Sequence, residues 1–139
     1  MSTPSQEDYL EAIWILVHDK GYARVSDIAE HLGIQVASVS RMVKRLAEDG
    51  LLTRERYRGF SFTDEGALQG ETLYARHKTL EALVSALRLG PPERVYKIVE
   101  GIEHHFDADA VRRLACLVHF IEEHPDWWEM YTRVLVDEP

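Results

Sequence analysis

Six residues able to ligate a metal ion fall at three separated places in the sequence: Asp8 and Glu11 near the start, His77 in the middle, and Glu100, Glu103 and His104 in the run Val99-Glu100-Gly101-Ile102-Glu103-His104-His105. On an α-helix each residue turns about 100°, so the i, i+3 pair Asp8/Glu11 shares one face and the i, i+3, i+4 set Glu100/Glu103/His104 shares another. His105 departs from that face by about 100° and is left out. Closely set carboxylates repel one another unless something positive lies between them, and a metal ion is the simplest candidate. Taken singly, each residue has a structural reading: acidic groups in a first helical turn stabilise the helix macrodipole, and a lone histidine such as His77 is more often packed or solvated than ligating.

The elements that must position these groups can be read from caps and periodicity. Thr3 as N-cap, Pro4 at the first helical position and Gln6 as the third form a capping-box pattern. That helix should run to about Asp19 and stop at Gly21, burying Leu10, Ile13, Trp14, Leu16 and Val17 and leaving Asp8 and Glu11 on a more polar part. Ser26 is a good N-cap for Asp27 to Leu32, which ends at Gly33, and a second helix from about Val36 to Asp49 ends at Gly50. Two short helices around a tight turn are the helix-turn-helix pattern. Leu51 to Arg56 and Phe60 to Thr63 then read as two short strands joined around Tyr57-Arg58-Gly59, a wing with arginines at its tip.

Thr63 or Asp64 can cap a long helix to about Leu87 that carries His77, and Gly90-Pro91-Pro92 breaks it. A helix through Glu93 to about Phe106 holds the second ligand cluster, Asp107 or Asp109 caps a helix to about Glu123, and Pro125 starts a final short helical piece. Trp127, Trp128 and Tyr131 in that piece read as packing anchors. The expected fold is mainly α: a winged helix-turn-helix of three helices and a two-stranded wing over residues 1–63, joined by a linker helix of about 64–88 to a helical domain over 64–139. Val111, Leu114, Ala115, Val118 and Ile121 recur at helical spacing and form either a dimer seam or internal core.

Composition sets limits on what such a chain can do. Of 139 residues, 45% are hydrophobic and 29% charged, ordinary for a soluble globular protein. No apolar run approaches the ~20 residues needed to span a bilayer, and the polar opening lacks the features of a signal peptide. The single Cys116 fits a reducing cytosol and reads as a small core residue. A cytoplasmic protein with no membrane partner and no small organic substrate is expected.

A net charge of −8 argues at first against nucleic acid, because phosphate contacts need Lys and Arg. The distribution reverses this. Between Gln35 and Phe60, Arg41, Lys44, Arg45, Arg54, Arg56 and Arg58 outweigh Glu48, Asp49 and Glu55. An acidic body with one basic edge repels DNA everywhere except at that edge. The recognition helix would place Gln35, Ser38, Ser40 and Arg41 near base edges and Lys44 near phosphate, with Arg56 and Arg58 of the wing reaching the backbone or minor groove.

The run Gly21-Tyr22-Ala23-Arg24-Val25-Ser26-Asp27-Ile28-Ala29, the winged helix after it, and Glu100-Gly101-Ile102-Glu103-His104-His105 closely resemble manganese transport regulators of the diphtheria toxin repressor family, over essentially the whole chain. The resemblance implies a homodimeric, metal-activated repressor of manganese uptake genes acting at a palindromic double-stranded DNA operator. It matches Asp8, Glu11, His77, Glu100, Glu103 and His104 to the family's metal ligands. Up to two Mn(II) ions per subunit are implied, one drawing on Asp8, Glu11, His77 and Glu103 and a neighbour on Glu11, Glu100, Glu103 and His104. Iron-responsive relatives place a methionine and a cysteine where this sequence has Asp8 and Glu100, and oxygen donors suit Mn(II) better than such softer ligands do. Fe(II), Zn(II), Cd(II) and Co(II) are further ions able to occupy these ligands. Two rival readings are a dinuclear metallohydrolase, for which the sequence offers no acid/base motif, and a metal-buffering interaction module with a vestigial helix-turn-helix.

Overall fold

The computed structural model describes residues 4–137, which divide into two compact units, one ending at Ala75 and the other beginning at Arg76. The division falls inside a continuous helix. In the first unit, helix α1 spans Gln6–Lys20, α2 Val25–Leu32 and α3 Val36–Glu48, followed by strands β1 (Leu52–Glu55) and β2 (Gly59–Phe62). Helix α4, Asp64–Ala86, belongs to the first unit up to Ala75 and to the second from Arg76. The second unit continues with α5 (Pro92–Ile102), a single 3-10 turn Glu103–His105, α6 (Ala108–Glu123) and α7 (Pro125–Asp137).

Helix α1 starts later than its sequence suggests. Pro4 is not helical; Ser5 is the N-cap, its hydroxyl accepting from the Asp8 N–H at 3.2 Å while the Ser5 N–H donates to Asp8 Oδ2 at 2.7 Å. Both partners of a capping box are thus present, and they outcompete Pro4 at the first helical position. The expected N-cap Thr3 lies outside the described residues. Helix α2 begins at Val25 with Arg24 as N-cap and no side-chain cap bond, so Ser26 is inside the helix instead of capping it. At the start of α4, Thr63 is the capping side chain: its Oγ1 accepts from the Gly66 N–H at 3.1 Å and donates to the Gly50 carbonyl at 2.7 Å.

The first core gathers Leu10 and Ile13 of α1, Ile28 of α2, Val39, Val43 and Leu46 of α3, and Leu52 and Phe60 of the wing. Side chains at 0% exposure, such as Ile13, Ile28 and Leu46, each contribute roughly 1.5–3 kcal/mol of burial. The wing is antiparallel, with Leu52 opposite Phe62 and Glu55 opposite Gly59, so Leu52 and Phe60 point inward from opposite strands. The second core is smaller: Leu80 and Val84 of α4 pack with Val95 and Val99 of α5, supported by Ile98, Ile102, Phe106 and Leu114.

Several expectations change in the second unit. The helix through Glu93 ends at Ile102, not near Phe106, and a 3-10 turn closed by the Phe106 N–H to the Glu103 carbonyl at 3.2 Å takes over. Asp107 then caps α6 by accepting from the Ala110 N–H at 2.8 Å. Cys116 is exposed and therefore not a core residue. Trp127, expected as a packing anchor, is 47% exposed, and the final helix is a full 13 residues. No residue of α6 or α7 is buried; of the expected seam, Val111, Leu114, Val118 and Ile121 are half-buried and Ala115 is exposed. Among the described residues no helix is long and apolar enough to cross a membrane.

Candidate metal centre and nucleic-acid interface

The second unit brings His77, Glu100, Glu103 and His104 together from three elements. His77 Nδ1, on α4, lies 2.8 Å from Glu103 Oε2 and 3.8 Å from Glu100 Oε1. His104 Nε2 lies 3.9 Å from Glu103 Oε1. His77, Glu100 and Glu103 can each present one ligand atom within 4.8 Å of the others. The change from α-helix to 3-10 turn matters here, because Glu103 is drawn fully inward at 0% exposure while His104 stays at the surface. Glu103 Oε1 is buried with no hydrogen-bond partner among the described residues. A buried carboxylate oxygen without a hydrogen bond costs free energy that a cation would recover. Carboxylates and imidazole suit a divalent first-row metal, so the residues fit the group.

Two further side chains adjoin this cluster that were not among the expected ligands. Glu81, one helical turn beyond His77, places Oε2 3.4 Å from His77 Nε2. Arg76, buried, places Nη2 3.4 Å from His104 Nδ1. Because a guanidinium only donates, that ring nitrogen is the acceptor. An i, i+4 spacing from His77 could have flagged Glu81; nothing local distinguishes Arg76.

On α1, Asp8 is occupied in the capping box, and Glu11 is buried at 8% exposure. Glu11 therefore does not sit on the polar face that periodicity assigned to it. A buried carboxylate in the middle of an apolar stretch, between Leu10 and Ala12, is itself unusual unless it is paired or ligating. Beside it, burial pushes the Tyr9 hydroxyl above its ordinary range, while the Arg41 guanidinium of α3 pulls it back down.

The residues expected to face DNA differ in exposure along α3. Gln35 is the N-cap of α3 with no side-chain cap bond, and Gln35, Ser40, Arg41 and Lys44 are exposed; Ser38 is half-buried and accepts from Arg41 Nη2 at 3.4 Å. Val39, Val43 and Leu46 anchor the opposite face. In the wing turn, Arg56 lies over the Tyr57 ring at 5.1 Å, and Arg58 is 3.5 Å from Glu55 and 5.0 Å from the Tyr22 ring.

A winged helix with an exposed, basic recognition helix, followed by a unit holding a partly buried carboxylate–imidazole cluster, defines a metal-responsive DNA-binding regulator. The chain belongs to the iron-dependent repressor family: residues 1–60 match its N-terminal DNA-binding domain and residues 63–130 its metal-binding and dimerisation domain. It is 47% identical over 126 residues, 91% of this chain and 90% of the relative, to the HTH-type transcriptional regulator MntR of Lysinibacillus sphaericus. Among solved structures it resembles IdeR of T. acidophilum (TM-score 0.74, 28% identity, 90% of this chain) and the manganese regulator SloR (TM-score 0.74, 26% identity, 86% of this chain). It spans 56% and 55% of those two chains. The protein is thus a metal-dependent transcriptional repressor with a dimerisation region, and its relatives are regulators, not hydrolases.

Proposed function

We propose that this repressor responds to Mn(II), held by Asp8 and Glu11 of α1 together with His77, Glu100, Glu103 and His104 of the second unit. The observation that carries the reading is Glu103: fully buried, next to His77 at 2.8 Å, with its other oxygen lacking a hydrogen bond among the described residues. A bound divalent ion supplies positive charge to these carboxylates and is sensitive to the protonation of its ligands. Selectivity for Mn(II) over ions that bind more tightly must come from coordination number and geometry, and a donor set without sulfur supports it. Up to two ions per subunit, with Glu11 and Glu103 shared, is the finer form of this proposal.

Ligands contributed from both units couple the two. The apo dimer samples several spacings between its recognition helices, and binding of the metal ligands restricts that range to one matching two half-sites of a palindromic operator in the cytoplasm. Coupling of this kind is typically ~1–3 kcal/mol, or roughly five- to hundredfold in DNA affinity. Residues 1–63 supply DNA contacts through Gln35, Ser38, Ser40, Arg41, Lys44, Arg56 and Arg58, and residues 64–139 supply the linker helix and the dimer.

The test is binding of a labelled promoter duplex from a manganese-uptake gene, with chelator, Mn(II), Fe(II), Zn(II), Cd(II) or Co(II) at one fixed salt concentration. Tight binding with Mn(II) and weak binding with chelator is expected. Equal binding in both would remove the metal gate. Replacing Arg41 and Lys44 with Ala should abolish DNA binding and leave calorimetric Mn(II) binding intact; undiminished DNA binding would sink the recognition-helix assignment.

A further inference from the structure

Tyr22 stands among three cations. The Arg58 guanidinium carbon is 5.0 Å from its ring centroid, that of Arg24 is 5.2 Å away, and Lys20 Nζ is 5.5 Å away. Lys20 is the last residue of α1 and Arg24 the N-cap of α2, whereas Arg58 comes from the wing turn. A backbone bridge brings them together. The Ala23 N–H donates to the Phe60 carbonyl and the Phe60 N–H to the Ala23 carbonyl, both at 2.8 Å, so the link lies beside β2 as a one-residue third strand. Gly59 makes room for it: its φ is +98°, and a Cβ there would meet the Ala23 carbonyl oxygen at 2.5 Å and Arg24 Cα at 3.0 Å.

Three cations around one ring repel each other, and the ring face offsets only part of that repulsion. Local acids account for the rest unevenly. Lys20 is taken by Asp27 at 2.8 Å, and Arg58 has Glu55 at the longer distance of 3.5 Å. Arg24 is exposed and shares the charge of Asp27, whose carboxylate is already bonded to Lys20. Two guanidinium groups therefore remain on one aromatic platform with less than matching negative charge. The platform also adjoins the recognition helix. One surface groove is lined by Ser40, Lys44 and the acidic Glu48 of α3, Arg54 and Gly59 of the wing and Val25 at the start of α2, so Arg58 and Arg24 are chain neighbours of residues on its rim, and neither adjoins Glu48 in sequence.

We propose that Arg24 and Arg58, held over Tyr22, clamp one backbone phosphate of duplex DNA at the edge of the recognition helix. The proposal rests on the DNA-binding reading above. Paired guanidinium forks match a phosphodiester, and a contact from this edge fixes orientation without reading sequence. Tyr22 is a positioning residue: it keeps two arginines, from segments far apart in sequence, at one anion.

The experiment is the salt dependence of binding, with Mn(II) present, to a fluorescent promoter duplex from a manganese-uptake gene. Each phosphate contact contributes about −0.9 to the slope of log K against log salt. The double variant Arg24→Ala/Arg58→Ala should make that slope shallower by about 0.9, so that affinity falls about 3.5-fold less between 50 and 200 mM salt, and Arg24→Ala and Arg58→Ala should each account for part of that change. The loss should be equal for operator sequences differing at single base pairs. Tyr22→Leu should reproduce much of both effects and Tyr22→Phe should not, because Phe keeps the ring. Arg133→Ala, exposed on α7, serves as the comparison that leaves the slope alone, and thermal melting confirms that each variant is folded. Unchanged slopes for Arg24→Ala and Arg58→Ala, with wild-type binding intact, would overturn the clamp and leave the regulator reading standing. Failure of the wild-type protein to bind the duplex would overturn both.

Discussion

Gly66 rests against the carbonyl of Leu51 so closely that a Cβ at position 66 would overlap the Leu51 oxygen, with the Leu51 carbonyl carbon 2.8 Å away and Phe62 Cδ1 2.9 Å away. The same Leu51 oxygen accepts from the Thr63 N–H at 3.1 Å, so the first turn of α4 is fastened to the entry of the wing. Alanine in place of glycine normally stabilises a helix by about 1 kcal/mol. Here the crowding is against backbone, which cannot rotate aside, and overpacking of this kind costs ~1–3 kcal/mol or more. Gly66→Ala should therefore lower stability in urea unfolding despite its better helix propensity. An increase would mean that α4 shifts freely relative to the wing.

That relationship was not legible in the sequence, where Gly66 is one small residue inside a helical pattern. What could be read locally was read well: the order of helices, the wing between Leu51 and Thr63, and the apolar faces that become Val39, Val43 and Leu46 in the core. The misreadings share a cause, which is competition between nearby alternatives. Ser5 with Asp8 forms the capping box and starts the helix at Gln6 where Pro4 was expected at its first position, and a 3-10 turn at Glu103 replaces the extra helical turn that i, i+3, i+4 spacing suggests. Of the candidate site, the residue types were visible; the depth of Glu11 and Glu103, and the neighbours Arg76 and Glu81, depend on contacts between distant segments.

Replacing Glu103 with Gln tests whether its burial serves a cation. The variant removes a fully buried negative charge that has one hydrogen-bonding oxygen and one without a partner among the described residues. Without metal, Glu103→Gln should be at least as stable as wild type. With Mn(II) at a hundred times its dissociation constant, wild type should gain ~2.7 kcal/mol and the variant very little. Differential scanning calorimetry with chelator and with Mn(II) measures both. A variant that is destabilised without metal and still stabilised by Mn(II) would show that Glu103 is a structural acid.

The Lys20–Asp27 pair gives a pH signature separate from the metal ligands. The Lys20 ammonium donates to Asp27 Oδ2 at 2.8 Å; that bond holds the Asp27 carboxyl below the usual carboxylate range and raises the Lys20 ammonium above its own. For the depressed carboxyl, the contribution is complete above the unfolded-state pKa and is lost as pH falls through the lowered folded value. For the raised ammonium, it is complete below the ordinary lysine value and is lost as pH rises through the raised one. Asp27→Asn should thus cost a little stability at neutral pH, small because the pair is exposed and screened. The difference from wild type should close below the carboxylate range and in 1 M salt. A gap that persists at low pH would assign the effect of Asp27 to something other than its charge.

Helix α6 lies in the matched metal-binding and dimerisation region, yet none of its residues is buried within the chain. Leu117 and Phe120, an i, i+3 pair on one face, are 43% and 44% exposed, and Phe120 continues into rings on His124 and Trp127. A monomer seldom leaves so continuous an apolar face in water. Burying a large apolar side chain is worth ~1.5–3 kcal/mol, and in a symmetric dimer each substitution removes two. Leu117→Lys with Phe120→Lys should therefore weaken the dimer at least roughly a hundredfold, since each 1.4 kcal/mol is about tenfold. Sedimentation velocity over a dilution series reads the shift directly. DNA affinity should fall with the dimer, because two recognition helices no longer act together, while Mn(II) binding per chain should hold. An unchanged sedimentation profile would move the dimer contact away from this face, toward Met130 and Val134 of α7, which are more exposed still.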